Sequence, residues 1–402
     1  MSDENSPAAG GSPAAIDRAV LLLGVAAFAT VATMRVADPL LPQVAAEFDV
    51  TAGDAAVISS AFTISYAVGQ FVYGPLGDRI GKLRLIAWMT VISAFTVGAA
   101  AFAESLSSLG LIRFAGGATT AAIVPLAMAF VGDHVAYEHR QATLARMLSG
   151  TIVGVVLGQA LGGLIGEHFG WRAIFPVLGA VFLAIGVLLL IDLGRHRLPP
   201  PPKLSPAISA GSLMRGYIDL FNRPWARIII LMVFIEAFFF YGSFTFIGAD
   251  LHQRFALDYG MVGLILSCMG LGGLIYASSV RRLVSRLGEG GLSRAGGALL
   301  AIGISGMAVL PLLLVPPALL ILGLGLYMIH NTLQTNATQM APDARGLAVS
   351  TFANALFLGQ AAGITASSFL VDRYGFVPSH LIAAAGLLLL AMAFARLLDR
   401  RP

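Results

Sequence analysis

The stretch from Arg140 to Trp171 reads RQATLARMLSGTIVGVVLGQALGGLIGEHFGW, and that from Arg345 to Phe376 reads RGLAVSTFANALFLGQAAGITASSFLVDRYGF. At a shift of 205 residues Arg140 meets Arg345, Gly154 meets Gly359, Gly158 meets Gly363 and Gly170 meets Gly375. At the same shift Glu167 meets Asp372, His168 meets Arg373, Phe169 meets Tyr374 and Trp171 meets Phe376. Each copy can cross a bilayer once as a helix, which takes about 20 apolar residues. One register held over so long a stretch implies that the chain is an internal duplication whose copies run in the same direction.

The rest of the chain has the same character. Its 402 residues are 57% hydrophobic and only 11% charged, and mean hydropathy is +0.84. A soluble domain carries roughly 25% charged residues, so this chain lacks the polar surface to face water all round. The 46 glycines fit close helix packing in a membrane. Apolar segments run near 19–41, 55–76, 83–103, 106–132, 143–165 and 171–193, then near 224–247, 262–280, 295–314, 318–340, 347–370 and 381–397. The fold class is therefore an all-α membrane protein, with twelve transmembrane helices in two pseudo-symmetric six-helix bundles. Residues 1–16 read as a disordered cytoplasmic tail, 17–193 as the first bundle, 194–223 as a basic, proline-containing cytoplasmic linker, and 224–402 as the second bundle.

Charge sets the expected orientation. With the N-terminus inside, the inner loops collect Arg79, Lys82, Arg84, Arg140, Arg195, Arg215, Arg223, Arg281, Arg282, Arg286, Arg294 and Arg345, while the outer loops hold only Arg172, Arg254 and Arg373. The positive-inside rule then puts both termini in the cytoplasm of an inner-membrane protein. It also accounts for the pI near 9.4 without a nucleic-acid partner. A single cysteine, Cys268, excludes an intramolecular disulfide, and no spacing of ligands marks a metal site. No HExxH, nucleotide-binding loop or paired nucleophile and base is present, so neither an enzyme nor a cofactor is expected.

Ionisable residues inside the hydrocarbon are the strongest functional signal, since each costs at least about 2.5 kcal/mol. Arg35 and Asp38 lie three apart in span one, Arg113 lies in span four and Glu236 in span seven. At about 1.5 Å per residue, Arg35 and Arg113 reach similar depths, so the three N-terminal charges can meet. Asp38 and Glu236 are candidate proton-loading carboxylates, and a static Arg35–Asp38 pair is the structural alternative. In span ten, His330 and Gln334 share a face beside Asn331. Span two offers Tyr66 and Gln70, and span seven continues from Glu236 to Phe240 and Ser243. These are candidate cavity linings for a small-molecule substrate. Parallel six-span halves are a transporter architecture, with the binding site near the midplane between them. The series Gly154, Gly158, Gly162 suits either tight helix contact or a rocking seam.

The loop Gly74-Pro-Leu-Gly-Asp78-Arg79-Ile-Gly81-Lys82-Leu-Arg84 resembles the loop signature of the major facilitator superfamily, and the resemblance extends across nearly the whole chain. The resemblance implies that Asp78, near a neighbouring helix terminus or paired with Arg79 and Arg84, latches the two halves in one state. Leu111-Ile-Arg113-Phe-Ala-Gly116-Gly117 is similar to the family's buried-arginine motif. The stretch 150–163 is similar to its antiporter motif, except that Gln159 stands where a proline is expected. Span ten, from His330 to Arg345, resembles the drug–proton antiporter group. The resemblance implies a monomeric secondary transporter in a lipid membrane, coupled to protons and exporting a drug or metabolite. The alternative is a facilitator or symporter of a small organic anion held by Arg35 and Arg113.

Overall fold

A computed structural model describes residues 13–135, 137–195, 210–342 and 344–400. Span one is α1 (Pro13–Arg35) followed by α2 (Ala37–Glu47), hinged at Val36. The hinge follows from Pro39, which has no N–H to offer the Arg35 carbonyl four residues back. Span two is a single turn, α3 (Ala52–Ala55), and then α4 (Val57–Ile80); span three is α5 (Lys82–Gly98). Span four repeats the broken pattern as α6 (Leu106–Thr120) and α7 (Ile123–His134), where Pro125 leaves the Ala121 carbonyl without its helical donor. Spans five and six are α8 (Tyr137–Phe169) and α9 (Ile174–Arg195).

The connection between the halves carries a helix, α10 (Ala210–Asn222), in its second part. Of the expected linker and tail, residues 196–209 and 1–12 lie outside the described residues, and α1 already begins at Pro13. Span seven is α11 (Pro224–Phe255) and runs well past its expected end near residue 247. Spans eight and nine run from Tyr259 to Val309 (α12) as two helices that meet at Gly288, whose φ of 61° and ψ of −179° lie outside the helical region. A loop was expected there, yet the connection is helical up to that turn. At about 1.5 Å per residue the helices before and after that turn are roughly 44 Å and 32 Å long, each enough for one crossing. With span ten as α13 (Val315–Gln339), eleven as α14 (Arg345–Tyr374) and twelve as α15 (Phe376–Asp399), the chain crosses twelve times.

The duplication is visible in the packing. Span one lies along span five, and span seven lies along span eleven. A Cβ on Gly158 would fall 2.7 Å from the Ala32 Cα, and one on Gly363 would fall 2.7 Å from the Phe238 Cα. One turn further along the same helix pairs, Gly162 faces the Val36 side chain, whereas Gly242 faces the Ser367 hydroxyl. The small residue has changed sides but the close approach survives. Gly170 and Gly375 end spans five and eleven with φ of 79° and 83°, a region that costs other residues roughly 1 kcal/mol or more. Of the four hydrophobic clusters among the described residues, the two largest are centred one on the first six spans and one on the last six.

The halves meet unevenly. The end of the molecule bearing both termini and α10 can be called the terminal end, and the opposite one the far end. At the far end span five packs on span eight, and α2 packs on span seven. A Cβ on Gly163 would fall 3.0 Å from the Gly263 Cα, so two backbones touch there across the seam. Gly154, Gly158 and Gly162, read as suiting a seam or a tight contact, face span one of their own half. The seam glycine is the neighbouring Gly163.

Candidate functional site

The hinge in span one decides where its charges go. Because α1 stops at Arg35, both Arg35 and Asp38 project from the joint, and both are buried. An Arg35 guanidinium nitrogen stands 3.6 Å from Asp38 Oδ2. Another donates to Gln360 Oε1 of span eleven at 3.4 Å, and the guanidinium lies 4.5 Å over the Tyr241 ring of span seven. Gln360 in turn donates to the Thr63 hydroxyl of span two at 3.3 Å. Gln159 donates to Asp38 Oδ2 at 3.4 Å. The residue standing where the antiporter motif expects proline thus carries the amide that touches the buried acid.

Arg113 joins this group through the backbone. Its Nε donates to the Ile58 carbonyl at 3.1 Å and one terminal nitrogen donates to the Thr33 carbonyl at 3.0 Å. Its guanidinium lies 4.4 Å over the Phe62 ring. Spans one, two and four are pinned together by this one side chain. Asp38 feels both guanidinium charges, Arg35 more strongly. The three charges expected to meet do so, with Arg113 facing carbonyls and rings.

On the other side, Glu236 Oε2 stands 3.0 Å from His330 Nδ1. Glu236 is 1% exposed at its side chain, and His330 is 23% exposed. Glu236 Oε1 has no hydrogen-bond partner among the described residues. Tyr241 lies between the two groups, within the fields of Arg35, Glu236 and Asp38. A hydrogen bond between membrane helices contributes about 0.6 kcal/mol on average. A charge at mid-bilayer costs about 2.5–3.5 kcal/mol.

The other expected linings divide. Tyr66 is buried and meets the Phe357 ring of span eleven edge-on at 4.6 Å, while Gln70 beyond it is half-buried. Asn331 donates to the Tyr327 carbonyl at 2.9 Å, and Gln334 is half-buried on the His330 face. Phe240 is fully buried and stacks on Phe244 at 5.4 Å, inside the second hydrophobic cluster. In the signature loop Asp78 pairs with Lys82 at 3.0 Å, where Arg79 and Arg84 were the expected partners. Lys82 also reaches Asp133 of span four at 2.5 Å. The turn puts Lys82 one helical step from Asp78, and Gly81 makes it possible at φ 98°. Gly74 has open space around it.

Sequence reasoning missed two of the partners at the seam. Tyr241 and Gln360 carry no charge and sit in apolar runs. Two far-end carboxylates were visible only as repeat mates. Glu167 accepts from the Tyr259 backbone N–H at 2.8 Å, at the start of span eight. Asp372 accepts from the Gly53 N–H at 3.0 Å and from the Thr51 hydroxyl at 2.8 Å, at the start of span two.

Known proteins are similar to this chain over most of its length. The uncharacterized MFS-type transporter YceJ of Bacillus subtilis (strain 168) is 26% identical over 347 residues, 83% of this chain and 84% of that protein. The putative uncharacterized transporter YgaY of Escherichia coli (strain K12) is 28% identical over 363 residues, 87% of this chain and 88% of that one. Among solved structures, a bacterial homolog of the human lysosomal transporter Spinster, inward-facing and unoccupied, superposes with a TM-score of 0.76 at 18% identity, over 97% of this chain and 98% of that one. A D-xylose–proton symporter gives 0.73 at 15% identity, over 95% and 96%. The family model described as Major Facilitator Superfamily matches residues 23–364, and with twelve crossings in two repeated halves this chain belongs to that superfamily, a multi-pass membrane transporter and not an enzyme.

Proposed function

We propose that the protein is a secondary active transporter working by alternating access, exporting a small drug-like or metabolite solute across the inner membrane in exchange for protons. The observation that carries this reading is the Glu236–His330 pair: a carboxylate 1% exposed, its second oxygen without a hydrogen-bond partner among the described residues, bonded to an imidazole that is 23% exposed. Such a pair can take up or release one proton without moving a heavy atom far. With both termini in the cytoplasm, as the loop charges favour, the far end is the outer face. The cross-half hydrogen bonds of Glu167, Asp372, Arg35 and Gln360 then close the outside. On the cytoplasmic side the bonds of Lys82 among the described residues stay within its own half. This is the arrangement of a carrier waiting to load from within.

The organic-anion alternative needs guanidinium groups free to bind a carboxylate. Arg35 is engaged by Asp38, Gln360 and the Tyr241 ring, and Arg113 gives two of its three nitrogens to backbone carbonyls, leaving one terminal nitrogen without a hydrogen-bond partner among the described residues; the engagement of Arg35 favours the proton-coupled reading. The test is flux into proteoliposomes under an imposed pH gradient, for a solute first found by thermal-shift screening. Glu236→Gln is expected to abolish gradient-driven flux and to leave solute exchange at equal pH intact. Undiminished gradient-driven flux in that variant overturns the reading.

A further inference from the structure

Glu236, Ser243 and Asp250 recur at seven-residue intervals along span seven, which puts them on one helix face. Glu236 belongs to the site above. The other two form a second buried polar cluster with His380 of span twelve. His380 is wholly buried, and its Nδ1 lies 2.7 Å from the Ser243 hydroxyl. Its Nε2 faces Asp250 Oδ2 across 3.9 Å. Neither of those two atoms has a hydrogen-bond partner among the described residues. Arg254, one turn on, has a terminal nitrogen 3.6 Å from Asp250 Oδ2; that same nitrogen donates to the Met307 carbonyl at 2.6 Å, and the other terminal nitrogen donates to the Ala308 carbonyl, both in span nine.

The charged groups facing the cluster are Arg254 from span seven and His380 from span twelve. Beside it, α2 presents the Asp38 backbone carbonyl against Gly248, while the Asp38 carboxylate turns to Arg35 and Gln159. Asp372 of span eleven is bound by Thr51 and Gly53. At the start of span eight the Tyr259 ring stacks on His252. A static Asp250–Arg254 pair accounts for two members of the cluster. It does not account for an imidazole nitrogen and a carboxylate oxygen both left without a bond, at a separation that a small approach would turn into a hydrogen bond.

Position adds the second argument. Ala249 and His252, on either side of Asp250, line a cavity of about 610 Å³ at the far end, between α2 and the start of span eight. Gly248 sits on the seam itself. Parting the halves at that end would bring water within about one residue of Asp250. We propose that Asp250 and His380 form a second proton-binding site, loaded from the far end and placed before Glu236 on the same face of span seven. A proton enters at His380 Nε2, the hydrogen on Nδ1 stays on the ring and is donated to the Ser243 hydroxyl oxygen, and the resulting imidazolium donates from Nε2 to the Asp250 carboxylate. No heavy-atom bond changes, and the site gains one positive charge.

This inference deepens the proton-coupled reading and is tested apart from it. The full-length protein in lipid nanodiscs, labelled with 15N-histidine, is titrated from about pH 4 to about pH 9, a range that brackets an ordinary imidazole. The expected result is one buried histidine converting from neutral to imidazolium, absent in His380→Gln, displaced in Asp250→Asn and unmoved in Glu236→Gln. Ser243→Ala removes only the Nδ1 partner, keeps the packing, and is expected to displace the same signal. A His380 signal that stays neutral throughout, or one indifferent to both Asp250→Asn and Ser243→Ala, overturns the proposal. Failure of Glu236→Gln to alter transport leaves the His380 signal as it is, so the two ideas fail separately.

Discussion

The two ends of the molecule use the same kinds of side chain to different effect. At the far end, Glu167 and Asp372, repeat mates 205 residues apart, each reach across the seam to backbone N–H groups that begin a helix of the other half. At the terminal end, Lys82 holds Asp78 and Asp133 within the first half, and Arg294 holds Asp399 within the second. Charges that cross the seam close it, and charges satisfied at home leave it free to part. A carboxylate at a helix N-terminus is worth about 0.3–1 kcal/mol. Two such bonds bias an equilibrium between states without freezing it.

That contrast can be broken most severely at the seam itself. Gly163→Leu puts a side chain where a Cβ alone would already lie 3.0 Å from Gly263. It is expected to reduce the far-end-closed population by about tenfold or more, equivalent to at least roughly 1.4 kcal/mol. Spin labels on spans five and eight, read by double electron–electron resonance, report the distance; an unchanged distribution would show that the seam can yield elsewhere. Next in size is the pair Glu167→Gln with Asp372→Asn, which should shift the same population by roughly five- to tenfold, at about 1 kcal/mol or slightly more together. Asp372→Asn alone should exceed Glu167→Gln alone, since Asp372 accepts two bonds across the seam and Glu167 one. Equal effects would argue against the bond count as the cause. The smallest change at this end should come from Lys82→Ala, which leaves the far-end distances as they were. A far-end response to that variant would mean that the two ends are coupled in this state.

Much of this was legible in the sequence, and what was not has a physical reason. The twelve crossings follow from hydropathy, and the duplicated halves follow from the glycines at 154, 158 and 170 with their mates. Arg35, Asp38 and Arg113 could be brought to one depth because helical rise is fixed. Depth does not give rotation, however, so Gln360 and Tyr241 as partners of Arg35 lay beyond reach. The pairing of Glu236 with His330 joins two spans whose mutual orientation only packing sets. Asp250 was missed for another reason. Its charge and that of Arg254 lower local hydropathy, so span seven seemed to end near residue 247, yet the helix continues to Phe255 with Asp250 buried. The proline absent at Gln159 was noticed as a departure, but only the fold shows what the amide does in its place.

Arg35 and Tyr241 lie 206 residues apart, the shift that also carries Phe28 onto Phe234 and Ala32 onto Phe238 in the matching glycine contacts. They are therefore equivalent positions, and they touch each other, with the guanidinium 4.5 Å from the ring. In an ancestor assembled from two identical six-span chains, the residue at this place would have met its own copy. Two arginines at that separation repel by several kcal/mol in a medium of low polarity, and two tyrosines offer no charge. Only after fusion could one half keep a cation while the other supplied the face that receives it. The apex between the halves is thus a place where a single gene achieves what a symmetric dimer cannot.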